Sequence, residues 1–223
     1  MPESIIKANN MANMLGNQSP GVPDGSAQFP SINFSNEPSS GIYRISNGVL
    51  GIAIGGNKVG QIDANGLSIT QPYWNIVDQK SAGTEGGDFT SGDWRTRVLN
   101  TTRGINSITG SSLNTSTNQF ILPTGTYRLF ASCPAYLVEL HQSKLRNITD
   151  SSDTLIGTSE YCAINAQVSN RSFINGTFTI TTQKTFEIQH RNNSTQNSNG
   201  FGRGYANFGN VQVYTAVELW KLA

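Results

Sequence analysis

Residues 29–67 read FPSINFSNEPSSGIYRISNGVLGIAIGGNKVGQIDANGL, and no other stretch limits the fold as tightly. It is a succession of very short apolar-alternating segments, at 32–34, 42–45, 49–54 and 59–62. Each is closed by Gly, Asn, Pro or Asp, the residues that favour tight turns. Strands this short bury little surface, and a lone meander of them is marginal in water. The segment therefore predicts a β-meander that gains its core from other copies of itself, a homo-oligomeric shaft. The alternative is an ordinary meander within a soluble domain, which keeps the strands and drops the copies.

Two further zones flank this one. Residues 1–28 hold a short candidate helix over 5–15, with Ile5, Ile6, Ala8, Met11, Ala12, Met14 and Leu15 as its apolar positions, before the loop GNQSPGVPDGS. Two readings stay open for it: a helix or extended anchor that docks on a partner or on its own copies, or a disordered end. From residue 73 onward the strands lengthen. Alternation, β-branched residues or aromatics mark 75–80, 94–99, 120–122, 125–132, 136–145, 159–168, 172–181, 185–190 and 211–222. The turns between them are LPTG, SCPA, TDSSD, NG and NNSTQNSNG. About eight to ten strands of this kind predict an antiparallel sandwich, and among sandwiches a jelly roll. The expected fold is all-β: 1–28 an attachment segment, 29–72 the shaft, 73–223 the head.

Charge narrows the function. The net charge of +1 on 223 residues gives nucleic acid or an anionic membrane no electrostatic purchase. Asn, Thr, Ser and Gly are abundant, which suits neutral polar ligands such as glycans, although many β-rich surfaces share that bias. No apolar run approaches the roughly 20 residues that cross a bilayer. The N-terminus shows no basic stretch leading into an apolar core, so membrane insertion and a secretory signal are not expected and assembly in a cytoplasm is. The two cysteines, Cys133 and Cys162, are too few for a disulfide scaffold and form no CxxC pair; buried thiols or a single bridge both remain open.

Catalysis finds little support. His141 and His190 stand in strand-like stretches with no Cys or His at metal-ligand spacing, which predicts solvated or hydrogen-bonded imidazoles. Glu85, Asp88, Asp93, Asp150 and Asp153 are scattered loop carboxylates. Two of them would have to pair to act as a glycosidase, and TDSSD lacks a full calcium ligand set. GTEGG at 83–87 and FGRG at 201–204 lack the Lys-Ser or Lys-Thr of a phosphate loop. No catalytic residue, metal or cofactor is assigned.

Two resemblances add to this. The string NEPSSGIYR, followed by the Gly-Val-Leu-Gly-Ile strand, the Gly-Gly-Asn turn and Gln-Ile-Asp-Ala-Asn-Gly, resembles the repeat in stems of bacteriophage tail fibres and related virion fibres, over residues 29–69. It implies a homotrimeric virion fibre, anchored to other virion proteins through 1–28, with a receptor-binding head beyond the shaft. The order of Leu122-Pro123-Thr124-Gly125-Thr126-Tyr127, Gly157-Thr158-Ser159-Glu160-Tyr161, Gly176-Thr177-Phe178-Thr179-Ile180 and the strand Val211 through Leu219 resembles the tumour-necrosis-factor and complement-type jelly roll found in viral fibre knobs. It implies three copies packed through apolar and aromatic faces, for which Tyr127, Phe130, Tyr161, Phe178 and Tyr214 are candidates, each equally suited to the core.

Topology then places the binding surface. If the first head strand leaves the shaft at the base and the last strand pairs beside it antiparallel, the loop before the last strand lies at the tip. That loop, 191–210, reads RNNSTQNSNGFGRGYANFGN and mixes amides with aromatics and arginine, the groups that stack on sugar rings and satisfy hydroxyls. Candidate contacts are Asn193, Gln196, Asn199, Phe201, Arg203 and Tyr205, with Tyr136 of the SCPAY turn beside them. The other reading of the loop is a floppy polar connection with its aromatics tucked into the core. The function expected is attachment of a tailed bacteriophage to a host surface glycan or protein, not catalysis. The alternatives are a capsid decoration or head fibre and a small polysaccharide-degrading fibre enzyme.

Overall fold

The computed structural model describes residues 22–204 and 208–223; the expected helix over 5–15 and the candidate contact Tyr205 lie outside them. The chain divides into two compact units, residues 1–70 and 71–223.

The first unit is one antiparallel meander: β1 (Ile32–Phe34), β2 (Glu37–Ser46), β3 (Val49–Ile54), β4 (Asn57–Asp63) and β5 (Gly66–Ile69), paired in chain order. Asn47-Gly48 closes the β2–β3 hairpin with Gly48 at φ +73°, a conformation glycine adopts without strain. Register decides which side chains share a face. Ile32 stands opposite Ile42, Ile42 opposite Ile52, Leu50 opposite Ile62 and Ile62 opposite Leu67, so these residues form one continuous apolar ladder. On the other face Tyr43 lies over Gly51, where an added Cβ would meet its ring at 2.5 Å. The ladder is largely uncovered: its residues run from Ile42 at 40 % exposed to Leu67 at 59 %, with Ile52 half-buried among them. The expected short strands are thus present, with β2 longer than anticipated and β5 additional.

The second unit is a jelly roll. Its strands are β6 (Tyr73–Lys80), β7 (Arg95–Thr96), β8 (Thr101–Arg103), β9 (Ser112–Asn114), β10 (Gln119–Leu122), β11 (Gly125–Tyr136), β12 (Glu139–Asn147), β13 (Ser152–Cys162), β14 (Ser169–Ile180), β15 (Lys184–Asn192) and β16 (Gln212–Lys221). One sheet runs β14-β11-β16-β6-β8. The other runs β13-β12-β15-β10-β9, with β7 also on β15. From β10 to the C-terminus every connection except the β12–β13 hairpin crosses between sheets, which is the jelly-roll winding. The two inner faces meet in one core, where Trp74, Tyr127, Leu129 and Leu219 of the first sheet pack on Phe120, Leu145, Phe186 and Ile188 of the second. Trp74 and Phe120 meet edge-to-face at 6.3 Å.

Two expectations need correcting. SCPA is not a turn: β11 runs through Pro134, which pairs with Arg171 on β14. The ladder to β16 has already ended at Ser132, and the Pro134 carbonyl accepts from Arg97 rather than from β14, so the missing N–H lies on a side with no ladder to interrupt. The strand expected over 159–168 instead occupies Ser152–Cys162, because the turn at TDSSD returns the chain at once onto β12. Of the residues open to either a face between copies or the core, Tyr127 and Phe178 stack at 5.7 Å in the core and Tyr214 is buried as well, while Phe130 and Tyr161 remain outside it.

Candidate functional site

Pairing fixes the two ends of the head. β16 is antiparallel to β6, with Trp220 opposite Tyr73 at the end where the chain enters and Gln212 opposite Lys80 at the far end. β11 runs alongside in the same sense as β6, so Tyr136 also reaches the far end, as does the segment following Asn192.

That segment is anchored at each step. The Phe89 N–H donates to Gln196 O at 2.9 Å and the Phe89 carbonyl accepts from the Gln196 N–H at 3.1 Å, joining residues 84–91 to 195–204. Gly86 N donates to Gly202 O and Gly87 N to Ser198 O, each at 2.8 Å. Gly200 fits because a Cβ there would meet Gln196 O at 2.5 Å and Phe89 Cβ at 2.6 Å. Beneath lies a small second core of Phe89, Ala135, Val138, Cys162 and Phe201. Polar turns are legible in sequence; this cross-chain bracing is not, because it joins segments more than a hundred residues apart.

The sequence-derived contact residues separate into two groups. Asn193 is exposed, and Gln196, Asn199 and Arg203 are half-buried; Gln196 donates to Asn199 Oδ1 at 2.8 Å. Tyr136 and Phe201, expected at the surface, are instead 1 % and 8 % exposed. Phe201 stacks on Phe89 at 4.4 Å, and the Tyr136 hydroxyl accepts from Arg203 Nη1, so these rings support the loop rather than present it. Two main-chain positions with positive φ, Leu137 and Glu139, shape the adjoining β11–β12 turn. The Glu139 carboxylate accepts from Ser194 Oγ and Asn193 Nδ2, which ties that turn to the loop.

Two buried features escaped the sequence. Arg97, fully buried, donates to Thr215 Oγ1 at 2.7 Å, Pro134 O at 3.0 Å and Phe201 O at 2.9 Å, and lies over the Phe201 ring at 4.2 Å. Burial lowers its guanidinium to about 10, leaving it protonated at neutral pH. The second is a histidine pair. His141 Nδ1 lies 3.0 Å from His190 Nε2, and His141 Nε2 lies 2.6 Å from Asn170 Oδ1. Burial holds both imidazoles below the usual histidine range, His190 furthest, with the Arg97 charge adding to its shift. A sequence motif search misses the pair because register on neighbouring strands, not spacing in the chain, brings the rings together.

The loop carboxylates serve local roles. Asp150 accepts from Lys184 and Asn147, Asp153 from Lys144 and Arg146, Asp93 from the Trp94 N–H, and Glu85 from the Gly204 N–H. TDSSD is therefore a cation-paired turn, and among the described residues no three His, Cys, Asp or Glu side chains group as metal ligands. Both cysteines are free and buried.

No protein-family model matches the chain and no curated protein sequence is similar to it. Among solved structures, murine APRIL at pH 5.0 is similar to 69 % of this chain and 100 % of its own, at 10 % identity and a TM-score of 0.43. The globular domain of zebrafish complement 1qA protein shows 9 % identity over 69 % of this chain and 98 % of that one, with a TM-score of 0.43. Eiger TNF from S. frugiperda shows 13 % identity over 69 % and 93 %, with a TM-score of 0.44. The jelly roll itself is established by the strand order.

Proposed function

We propose that the chain is the subunit of a homotrimeric virion fibre of a tailed bacteriophage, whose jelly-roll head attaches the particle to a glycan or protein on the host surface. The observation that carries this reading is the uncovered ladder of Ile32, Ile42, Ile52, Leu50, Ile62 and Leu67. One apolar face on a five-stranded sheet gains its stability when other copies cover it, and three such sheets around an axis close into a prism with that face inside. The fibre-stem wording of the same residues supplies the kind of particle. A second self-association surface lies on the outer face of the β14-β11-β16-β6 sheet, where Phe130 stacks on Phe173 at 5.8 Å and Tyr73 meets Trp220 at 5.3 Å. Residues 1–28 would dock on other virion proteins. Contact with the host falls to the far end and the other sheet, and avidity from three copies multiplies weak single contacts.

Sedimentation velocity of the full chain tests the assembly, and preincubation of host cells with the purified protein tests attachment. A particle of three times the monomer mass that adheres to host cells and lowers phage adsorption is expected. A monomer at micromolar concentration overturns the fibre reading, and a trimer that neither adheres nor competes overturns the attachment role.

A further inference from the structure

On the outer face of the second sheet, crossing β13, β12 and β15, lies a cleft of about 320 Å³. One wall is Trp94, whose indole is fixed by the Lys144 ammonium 4.0 Å from its ring; Lys144 is in turn held by Asp153 at 2.9 Å. Gln142 occupies the middle, its amide nitrogen committed to Gly157 O at 2.9 Å and Ser159 Oγ at 3.0 Å. Arg191, opposite Gln142 on β15 and on the same face, lines one side, and its guanidinium has no hydrogen bond or ion pair among the described residues. Glu160 and Asn192, both opposite His141, border the cleft with their backbone while their side chains turn to the inner face of the sheet.

We infer that this cleft is a binding site for a neutral saccharide. The inference rests on the attachment reading above and names the class of ligand. A fixed aromatic wall suits the apolar C–H face of a pyranose ring. The Arg191 guanidinium suits sugar hydroxyl and ring oxygens, which accept from it. Glu160, bordering the cleft from the other face of β13, offsets that charge, so the site offers a charged sugar little net attraction. An extended peptide would be expected to add to a strand edge, and this cleft crosses the face of a sheet. It also lies on the sheet opposite the aromatic face assigned to self-association, so assembly leaves it open. The sequence reading centred recognition on residues 191–210; Trp94, Gln142 and Glu160 belong to none of that loop.

The test titrates the full-length chain, by calorimetry and tryptophan fluorescence, with neutral trisaccharides of glucose, galactose, mannose, rhamnose and N-acetylglucosamine. Sialyllactose serves as the anionic comparison, and host-cell adherence is measured in parallel. At least one neutral trisaccharide should bind, and Trp94→Ala and Arg191→Ala should each weaken it about tenfold or more, as truncation at a binding hot spot does. Trp94→Phe should retain most of the binding, and unchanged thermal midpoints show the variants folded. The inference is overturned if no neutral trisaccharide binds, if sialyllactose binds in preference, or if both alanine variants bind as the parent does. Adherence that survives any of those results removes the cleft and leaves the attachment reading standing; loss of adherence by the parent chain removes that reading itself.

Discussion

His141 on β12 and His190 on β15 approach to 3.0 Å between Nδ1 and Nε2 in the interior of the head, with Phe89 packed 4.8 Å from the His190 ring. Only one proton is needed between two such nitrogens, and a second positive charge would have to share the space with Arg97. The pair is therefore a neutral element of the core that resists protonation.

Stability should depend on pH accordingly. Both folded values lie below the unfolded histidine value of about 6.5, so below that pH the unfolded chain binds more protons than the folded one. The contribution is complete above about pH 6.5 and is lost as pH falls toward the depressed values. Linkage allows at most about 1.4 kcal/mol per pH unit for each histidine. Urea unfolding between pH 5 and 7.5 should show a midpoint flat above neutrality and declining below it, and His190→Gln should flatten the decline. An equal slope in parent and variant would exclude the pair as its source.

Arg97 should behave as a fastener of the far end. Its fork joins Thr215 on β16, Pro134 on β11 and Phe201 in the loop, a geometry that a lysine ammonium does not reproduce. Arg97→Lys should leave two of these acceptors unsatisfied inside the protein and destabilise the head by on the order of 3 kcal/mol. Amide hydrogen exchange should quicken first at Phe89, Gln196 and Phe201, with the sheets around Leu145 and Leu219 protected as before.

What the sequence could show divides along physical lines. The short strands of the first unit were legible because each is bounded by its own Gly, Asn or Asp, a local signal. The jelly roll was legible from strand spacing and turn chemistry. Burial of Tyr136 and Phe201 was not, since alternation says that a side chain leaves the sheet plane but not that residues 84–91 will cover it. Likewise β8 and β9, at three residues each, carry too few positions for alternation to register. Arg97 and the cleft wall Trp94 owe their roles wholly to partners distant in the chain.

The ladder in the first unit makes assembly sensitive to single charges. Ile42 sits between Ile32 and Ile52, and Ile62 between Leu50 and Leu67, so each is central to the apolar face. A lysine at either position would face the same residue from every other copy, placing unpaired like charges in a dry interior. Ile62→Lys should dissociate the assembly at micromolar concentration, read by sedimentation velocity, while the far-ultraviolet spectrum of the head persists. Val22→Lys, at an exposed position outside the strands, should leave the mass unchanged.

The two thiols should be silent until the chain unfolds. Cys133 lies in the main core and Cys162 in the small one; both are fully buried, and burial raises the Cys133 thiol above its ordinary value. Cys162 is further occupied, donating to Val168 O at 2.7 Å and accepting from the Leu137 N–H at 3.1 Å. Ellman's reagent should therefore find almost no reactive thiol in the folded protein and two per chain in denaturant, without reductant, and the thermal midpoint should be the same with and without dithiothreitol. Fewer than two thiols in the unreduced, unfolded chain would mean that a bridge forms and that the two cores are linked covalently.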